Sequence, residues 1–261
     1  MDSNLREQIA SDLNSARVNQ APVEQFSETI SDFQTRDAYV VQALGLAFRE
    51  KNGEALVGWK MGLTSEAKRQ QMNLHSPLYG GLTDKMALED GGEFQLKNSI
   101  HPKVEPEVAF LMGEDLSYPT TREKALEAVS AVCPALEILD SRYKQFKYFS
   151  LQDVIADNSS SSHFVLGNWR EDFSEINLAD LAMEMTINGE TAGEGNSNAI
   201  SGDPIISVVQ LVELLHENGQ TLKAGQVVLA GGATSAVALE PNMKVQLEVE
   251  GLGSVGFQVG E

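Results

Sequence analysis

Two glutamates two residues apart, Glu105 and Glu107, lead into the apolar run Val108-Ala109-Phe110-Leu111-Met112, and this constrains the chain more than any other feature. In an extended strand residues i and i+2 face the same side, so both carboxylates project together. Anions held that close repel each other, and burial raises the cost. A divalent cation with hard oxygen ligands removes the conflict, and Mg²⁺ commonly takes one or two carboxylates plus substrate oxygens. The alternative is an edge strand with a solvated acidic face. A third acid, Glu137, stands inside Ala135-Leu136-Glu137-Ile138-Leu139, where a lone buried charge needs a partner. The three acids would leave coordination positions for substrate or water. The competing reading pairs Glu137 with a buried cation such as Arg142.

Charge narrows the partners. Lys and Arg total 19 against 38 Asp and Glu, a formal charge of -19. That argues against nucleic acid or an anionic membrane surface. An anionic substrate then requires a metal or a local positive pocket. The single cysteine, Cys133, excludes an intrachain disulfide, reads as core rather than nucleophile, and fits a reducing, cytoplasmic location. Met1-Asp2-Ser3-Asn4 opens a segment without a signal-peptide core. No run reaches the roughly 20 apolar residues of a membrane span.

Periodicity predicts helices over 2–19 and 35–51, which together form an N-terminal helical cap (1–55) on a catalytic, β-rich domain (56–261). Leu56–Gly62 reads as a strand, 64–72 as a helical turn and 77–81 as a loop. A capping box at Thr120–Glu123 starts a helix to about Val132, followed by a strand from Pro134 to Asp140. Residues 141–163 form an ordered functional loop. Strands follow at 182–188, 226–230, 243–250 and 254–259. Asp203 and Pro204 start a helix ending near Gly219. Helices first, then mostly strands, gives an α+β fold.

Lys60 is the only ionisable side chain in Leu56–Leu63. It reads as an anion contact or acid/base group, or alternatively as a snorkelling surface lysine. The hydroxyl-rich stretch 157–162 reads as a polar turn. Gly231-Gly232-Ala233-Thr234-Ser235 could bring backbone N–H groups to an anion, though it lacks the lysine and spacing of a P-loop. The four histidines, 75, 101, 163 and 216, show no metal-ligand spacing.

Gly58-Trp59-Lys60-Met61-Gly62-Leu63-Thr64-Ser65, Lys103–Ala109, Leu136–Tyr143, Ala156–Ser160 and Gly251–Val255 resemble, in order along nearly the whole chain, the hydratase/decarboxylase family of catechol meta-cleavage pathways. This family lies within the fumarylacetoacetate hydrolase-like superfamily. The resemblance implies a mixed β-rich roll or sandwich of the fumarylacetoacetase C-terminal type. It implies Mg²⁺ or Mn²⁺ on Glu105, Glu107 and Glu137, with Lys60 at the substrate. Met61, Gly62, Leu63, Leu78, Tyr79, Asp157, Ser159, Ser160, Thr234 and Ser235 are its further substrate-binding positions. Hydratases of the family usually show an acid where this chain has Leu78 in Pro77-Leu78-Tyr79-Gly80. The pattern here resembles the decarboxylases of 2-oxo-3-hexenedioate (4-oxalocrotonate), although Pro106 departs from the alanine expected between the two acids. The expectations are therefore a dicarboxylate substrate, a homo-oligomer and a possible complex with the sister hydratase. The alternatives are that hydratase activity itself and a non-catalytic partner subunit.

Overall fold

The computed structural model describes residues 1–65, 69–70, 76–144 and 150–261. In chain order it contains α1 (Ser3–Asn19), α2 (Thr35–Lys51), β1 (Leu56–Gly62), β2 (Leu78–Thr83), β3 (Ala87–Leu88), β4 (Glu93–Gln95), β5 (Lys103–Met112), α3 (Arg122–Glu127), β6 (Val129–Leu139), α4 (Leu151–Ala156), β7 (Ser161–Leu166), β8 (Ala182–Ile187), β9 (Glu190–Asn196), α5 (Pro204–Glu217), β10 (Val227–Leu229), β11 (Val237–Ala238), β12 (Lys244–Val249) and β13 (Gly253–Gly260). The expected α+β architecture is the one adopted. The larger sheet runs β2-β1-β10-β5-β6-β7-β3 with β11 added to β5, and the smaller runs β4-β13-β12-β8-β9. Parallel pairs, β1 with β10 and β4 with β13, sit among antiparallel ones.

β5 and β6 form the spine. Their antiparallel register sets Glu105 opposite Glu137 and Met112 opposite Val129. Proline usually breaks a central strand because it donates no hydrogen bond. Pro106 escapes that cost: its C=O accepts from Ala233 N–H at 2.9 Å, so its N side also faces the 231–233 segment rather than the β6 ladder.

Local signals set several boundaries. Asp203 caps α5 by accepting from Ile205 N–H at 3.1 Å, with Pro204 in the first turn. α5 buries Ile205, Val208, Leu211, Val212 and Leu215, each contributing about 1.5–3 kcal/mol. Ser197–Glu217 is nonetheless long and apolar enough, by composition, to cross a bilayer, which the sequence reading had not anticipated. Three expected assignments move, the first being the loop over 141–163, which holds α4 and the start of β7. The helix begun at Thr121 ends at Glu127 rather than Val132, because Ala131, Val132 and Cys133 extend β6 along β5. The expected loop 77–81 is the start of β2, paired to β1 from Gly62↔Leu78 onward. The helical turn expected over 64–72 lies largely outside the described residues, as do His75 and residues 145–149.

The larger sheet curls until its two ends meet. Gly81 N–H donates to Asn158 Oδ1 at 2.7 Å, and Asn158 Nδ2 donates back to Gly81 C=O at 2.9 Å. α2 fastens the join from outside, with Gln42 Nε2 donating to Tyr79 C=O (2.9 Å) and Ile155 C=O (3.0 Å).

His163 on β7 packs edge-on to Phe94, and burial beside the Arg49 and Arg17 cations pushes its imidazole down to about 4. The unfolded chain, titrating near 6.5, takes up this proton first as the pH falls. The contribution is therefore complete above that pH and is lost toward about pH 4, by about 3 kcal/mol in all. Chemical denaturation of the protein and its His163→Phe variant at pH 7 and pH 4.5 should show the variant losing less stability on acidification.

Candidate metal centre and active-site cavity

Strand alternation decides which side chains enter the curl. Lys60 pairs with Leu229, Leu229 with Ala109, and Glu105 with Glu137, and cross-strand partners share a face. Lys60, Glu105, Glu107 and Glu137 therefore all point inward from three strands. β10 ends at Leu229, where its pairing with β1 also ends, and the chain at 230–233 continues along β5, with Ala230 N–H donating to Val108 C=O and Ala233 N–H to Pro106 C=O. Lys60 Nζ lies 2.9 Å from Glu137 Oε2. It also donates to Ser159 C=O at 3.2 Å and to Ser159 Oγ at 3.4 Å.

The ligand oxygens of Glu105, Glu107 and Glu137 lie within 4.8 Å of one another. Glu107 and Glu137 are both 0% exposed, and Glu105 is half-buried at the cavity wall. Gly231 N–H donates to Glu107 Oε2 at 2.7 Å, while Glu107 Oε1 has no hydrogen-bond partner. Burial, reinforced by Glu137 and Glu105, holds the Glu107 carboxyl well above the usual carboxylate range. Burial likewise raises Glu137, against the pull of Lys60. Lys60 is opposed by its own burial, yet the three acids hold its ammonium above the ordinary value. Three carboxylates against the Lys60 ammonium, with Lys103 at the cavity wall, leave a formal surplus of negative charge around the acids. An all-oxygen donor set with an orphaned carboxylate oxygen and that surplus fits a hard divalent cation.

The backbone is shaped to the acids. A Cβ at Gly232 would meet the Glu105 carboxylate, so a larger residue there would push that acid out of its place beside Glu107 and Glu137. Asn158, Ser159 and Ser160 all carry positive φ, at 51°, 54° and 57°. Each such residue costs about 1–3 kcal/mol and persists only where its surroundings impose it. Here Asn158 is clasped by Gly81, and the turn presents both oxygens of Ser159 to Lys60.

A cavity of about 290 Å³ opens over the acids, lined by Lys60, Gly62, Leu63, Thr64, Leu78, Lys103, Glu105, Leu139, Val154, Ser159, Gly232, Ser235 and Ala236. Of the positions expected from sequence, Lys60, Gly62, Leu63, Leu78, Ser159 and Ser235 line it. Met61 and Tyr79 do not. They pair with each other one residue out of phase and point into the core, where Tyr79 stacks on Tyr39 at 4.7 Å. Asp157 is turned away as well, bonded to the Arg142 guanidinium and backbone N–H. Burial pushes its carboxyl up to about 6 against that pull. Ser160 spends its C=O on Asp140 N–H at 2.8 Å. Thr234 rests against Gly193 and Gly195 of β9. The competing partner for Glu137 is thus excluded: its cation is Lys60, and Arg142 serves Asp157. The Gly231 N–H does meet an anion, but it is the protein's own Glu107. Cys133 is fully buried core.

Gly232 belongs to the glycine stretch expected to approach an anion, whereas Thr64, Lys103, Leu139, Val154 and Ala236 were not singled out from sequence. Lys103 was legible: it lies two residues from Glu105 and so shares its face. Leu139 and Val154 carried no signal beyond hydrophobicity.

Residues 41–260 match the fumarylacetoacetate (FAA) hydrolase C-terminal family. A 4-oxalocrotonate decarboxylase of Pseudomonas sp is 47% identical over 222 residues, covering 85% of this chain and 86% of that protein. A 2-hydroxyhexa-2,4-dienoate hydratase of Comamonas testosteroni is 37% identical over 233 residues, covering 88% of each. The structure of 4-oxalocrotonate decarboxylase from Pseudomonas putida G7, complexed with magnesium and adipate, superposes with a TM-score of 0.96 at 34% identity, covering 99% of this chain and 98% of that one. By a match spanning most of its length, by relatives aligned nearly end to end and by a shared fold, this chain belongs to the fumarylacetoacetate hydrolase C-terminal family.

Proposed function

We propose that this chain is a Mg²⁺- or Mn²⁺-dependent carboxy-lyase that converts 2-oxo-3-hexenedioate (4-oxalocrotonate) to 2-hydroxypenta-2,4-dienoate, or its keto tautomer 2-oxopent-4-enoate, and CO₂ in the breakdown of aromatic compounds. The observation that carries this reading is the convergence of Glu105, Glu107 and Glu137 with Lys60 under a cavity whose remaining wall, at Leu78, Leu139 and Val154, holds no acid among the described residues. Its relatives named as decarboxylases support it, as does the adipate, a six-carbon dicarboxylate, in the Pseudomonas putida G7 structure.

A divalent cation held by Glu105, Glu107 and Glu137 supplies a Lewis acid for the 1-carboxylate and 2-oxo end of the substrate. When the bond to the distal carboxylate breaks, its electron pair passes through the alkene to the C2 oxygen, CO₂ leaves, and protonation of that oxygen gives the dienol. Lys60, itself buried and fixed by Glu137 and Ser159, places an ammonium where that oxygen gains charge. Lys103, at the same wall as Glu105, adds a second positive charge for an anionic ligand. Leu78 puts an apolar group where an acid could otherwise direct water onto the dienol. Residues 1–55 act as a cap that braces the 56–261 domain carrying every proposed ligand.

Assaying CO₂ release from 2-oxo-3-hexenedioate beside hydration of 2-hydroxypentadienoate tests the reading. CO₂ release by the purified chain, abolished by exhaustive chelation and restored by Mg²⁺ or Mn²⁺, is expected. Turnover that survives chelation, or hydration alone, would overturn it, and no turnover at all would point to a non-catalytic subunit. Leu78→Asp should slow CO₂ release about 10²-fold, because a like charge a few ångströms from the departing carboxylate costs a few kcal/mol. An unchanged rate would remove Leu78 from the account. Self-association, a complex with the hydratase that consumes the dienol and a cytoplasmic setting belong to the same proposal. Light scattering of the chain, alone and mixed with that hydratase, measures the first two.

A further inference from the structure

Three arginines meet at the seam between the N-terminal helices and the larger sheet. Arg17 comes from the last turn of α1, Arg49 from the last turn of α2, and Arg142 from the segment after β6. All three line two adjoining cavities of about 40 and 340 Å³, on the opposite side of the curl from Lys60. Their hydrogen-bonding states differ.

Arg142 is fully engaged. Its Nε meets Asp157 Oδ1, its Nη1 donates to the C=O groups of Asp140 (2.5 Å) and Ser161 (3.0 Å), and its Nη2 meets Asp157 C=O. Arg49 Nη1 pairs with Glu54 Oε2 at 3.0 Å, an oxygen that also accepts from Thr83 Oγ1 at 2.5 Å. Arg17 is left over. Its Nη2 donates only to the neutral Asn14 Oδ1 at 3.0 Å, and its Nε is buried with no acceptor. Among the described residues it has no ion-pair partner.

The acids of the larger cavity are already occupied. Glu54 serves Arg49 and Thr83, and Asp140 accepts from the N–H groups of Ile100 and His101. Lys85 adds another cation at the rim, close to Asp84. His163, on the same wall, is kept neutral partly by Arg49 and Arg17. A guanidinium that bonds to no carboxylate and is balanced only through space by Glu54 is notable in a chain of formal charge -19. The guanidinium fork suits oxyanions held by two parallel hydrogen bonds.

We propose that this seam is an oxyanion-binding site, separate from the metal centre, in which Arg17 with Arg49 holds a small phosphate or carboxylate. The bound anion bridges α1, α2 and the sheet, behind the Asp157–Asn158 corner from which the Ser159 turn departs. It therefore stabilises the docking of the two helices by mass action. The assignment is independent of the reaction proposed for the metal centre.

The test is thermal unfolding of the full chain in saturating Mg²⁺, titrated with inorganic phosphate and, at matched ionic strength, with sodium chloride. Phosphate should raise the midpoint saturably, by about 4 °C well above its dissociation constant, and chloride should give only a smaller, non-saturating rise from screening. Arg17→Gln should abolish the saturable component while leaving the chloride response and Mg²⁺-dependent turnover unchanged. Arg17→Lys, which keeps the charge but loses the fork, should bind phosphate at least about tenfold more weakly, and it serves as the readout if the glutamine variant does not fold. Equal shifts with phosphate and chloride, or a full phosphate response in either variant, would overturn the proposal. Acetate in place of phosphate distinguishes a carboxylate from a phosphate preference.

Discussion

Glu107→Gln should abolish turnover and, in the absence of metal, make the protein more stable than its parent. The substitution is nearly isosteric, and the amide oxygen can still accept from Gly231 N–H, so packing around the fully buried side chain is retained. What disappears is one of three carboxylates whose oxygens lie within 4.8 Å of one another. Metal affinity should fall sharply, and activity should drop by at least about 10³-fold, since Lewis-acid stabilisation amounts to several kcal/mol and each 1.36 kcal/mol is a factor of ten. Under chelation the burial penalty, together with the repulsion from Glu137 and Glu105 that also raises the Glu107 carboxyl, is relieved, so the variant should melt above the parent. In saturating Mg²⁺ the order should reverse. Isothermal titration with Mg²⁺ and paired melts in chelator and metal check both halves. A variant that binds Mg²⁺ as tightly as the parent would show that these acids are not the ligand set.

Lys60→Met carries the second large effect. The ammonium is 2% exposed and lies 2.9 Å from Glu137, so its removal strands a buried carboxylate. Breaking one partner of such a pair costs about 3–5 kcal/mol. That penalty should be largest in chelator and shrink in Mg²⁺, because the cation then offsets the charge on Glu137. Losing a preorganised donor at the oxygen that gains charge lowers turnover by about 10²–10³-fold. The loss should fall on kcat more than KM, since the interaction strengthens as charge develops. Lys60→Arg should not restore activity, because a planar guanidinium cannot place the same compact charge between Glu137 and Ser159. A kcat within tenfold of the parent in Lys60→Met would leave this lysine a structural counter-ion only.

The alternation of Glu105 and Glu107 ahead of an apolar run, the acid inside β6, the caps at Thr121 and Asp203 and the single lysine of β1 were all readable as local chemistry. They fix which segments become strands or helices and which residue types must find partners. The α+β class follows from the same patterns, because periods of 2 and 3.6 residues are properties of the chain itself. The 3.6-residue pattern also places the helices 3–19 and 35–51 within a residue of where they form.

Only the tertiary structure decided which faces look inward. Met61 and Tyr79 flank true cavity residues by one position, and that single step turns them into the core, because a strand's side chains alternate with a period of two. Asp157 stands beside a turn that serves the site, yet the long-range arrival of Arg142 claims its carboxylate. Helix propensity past Glu127 lost to the ladder along β5, a partner 20 residues away at Ala131↔Leu111 whose bonds no local window can contain. The glutamates declared in the sequence that they needed a cation. That Lys60 takes Glu137, leaving Glu107 with an orphaned oxygen, was settled by the curl of the sheet, which brings β1 and β6 within reach although β10 and β5 stand between them in the strand order.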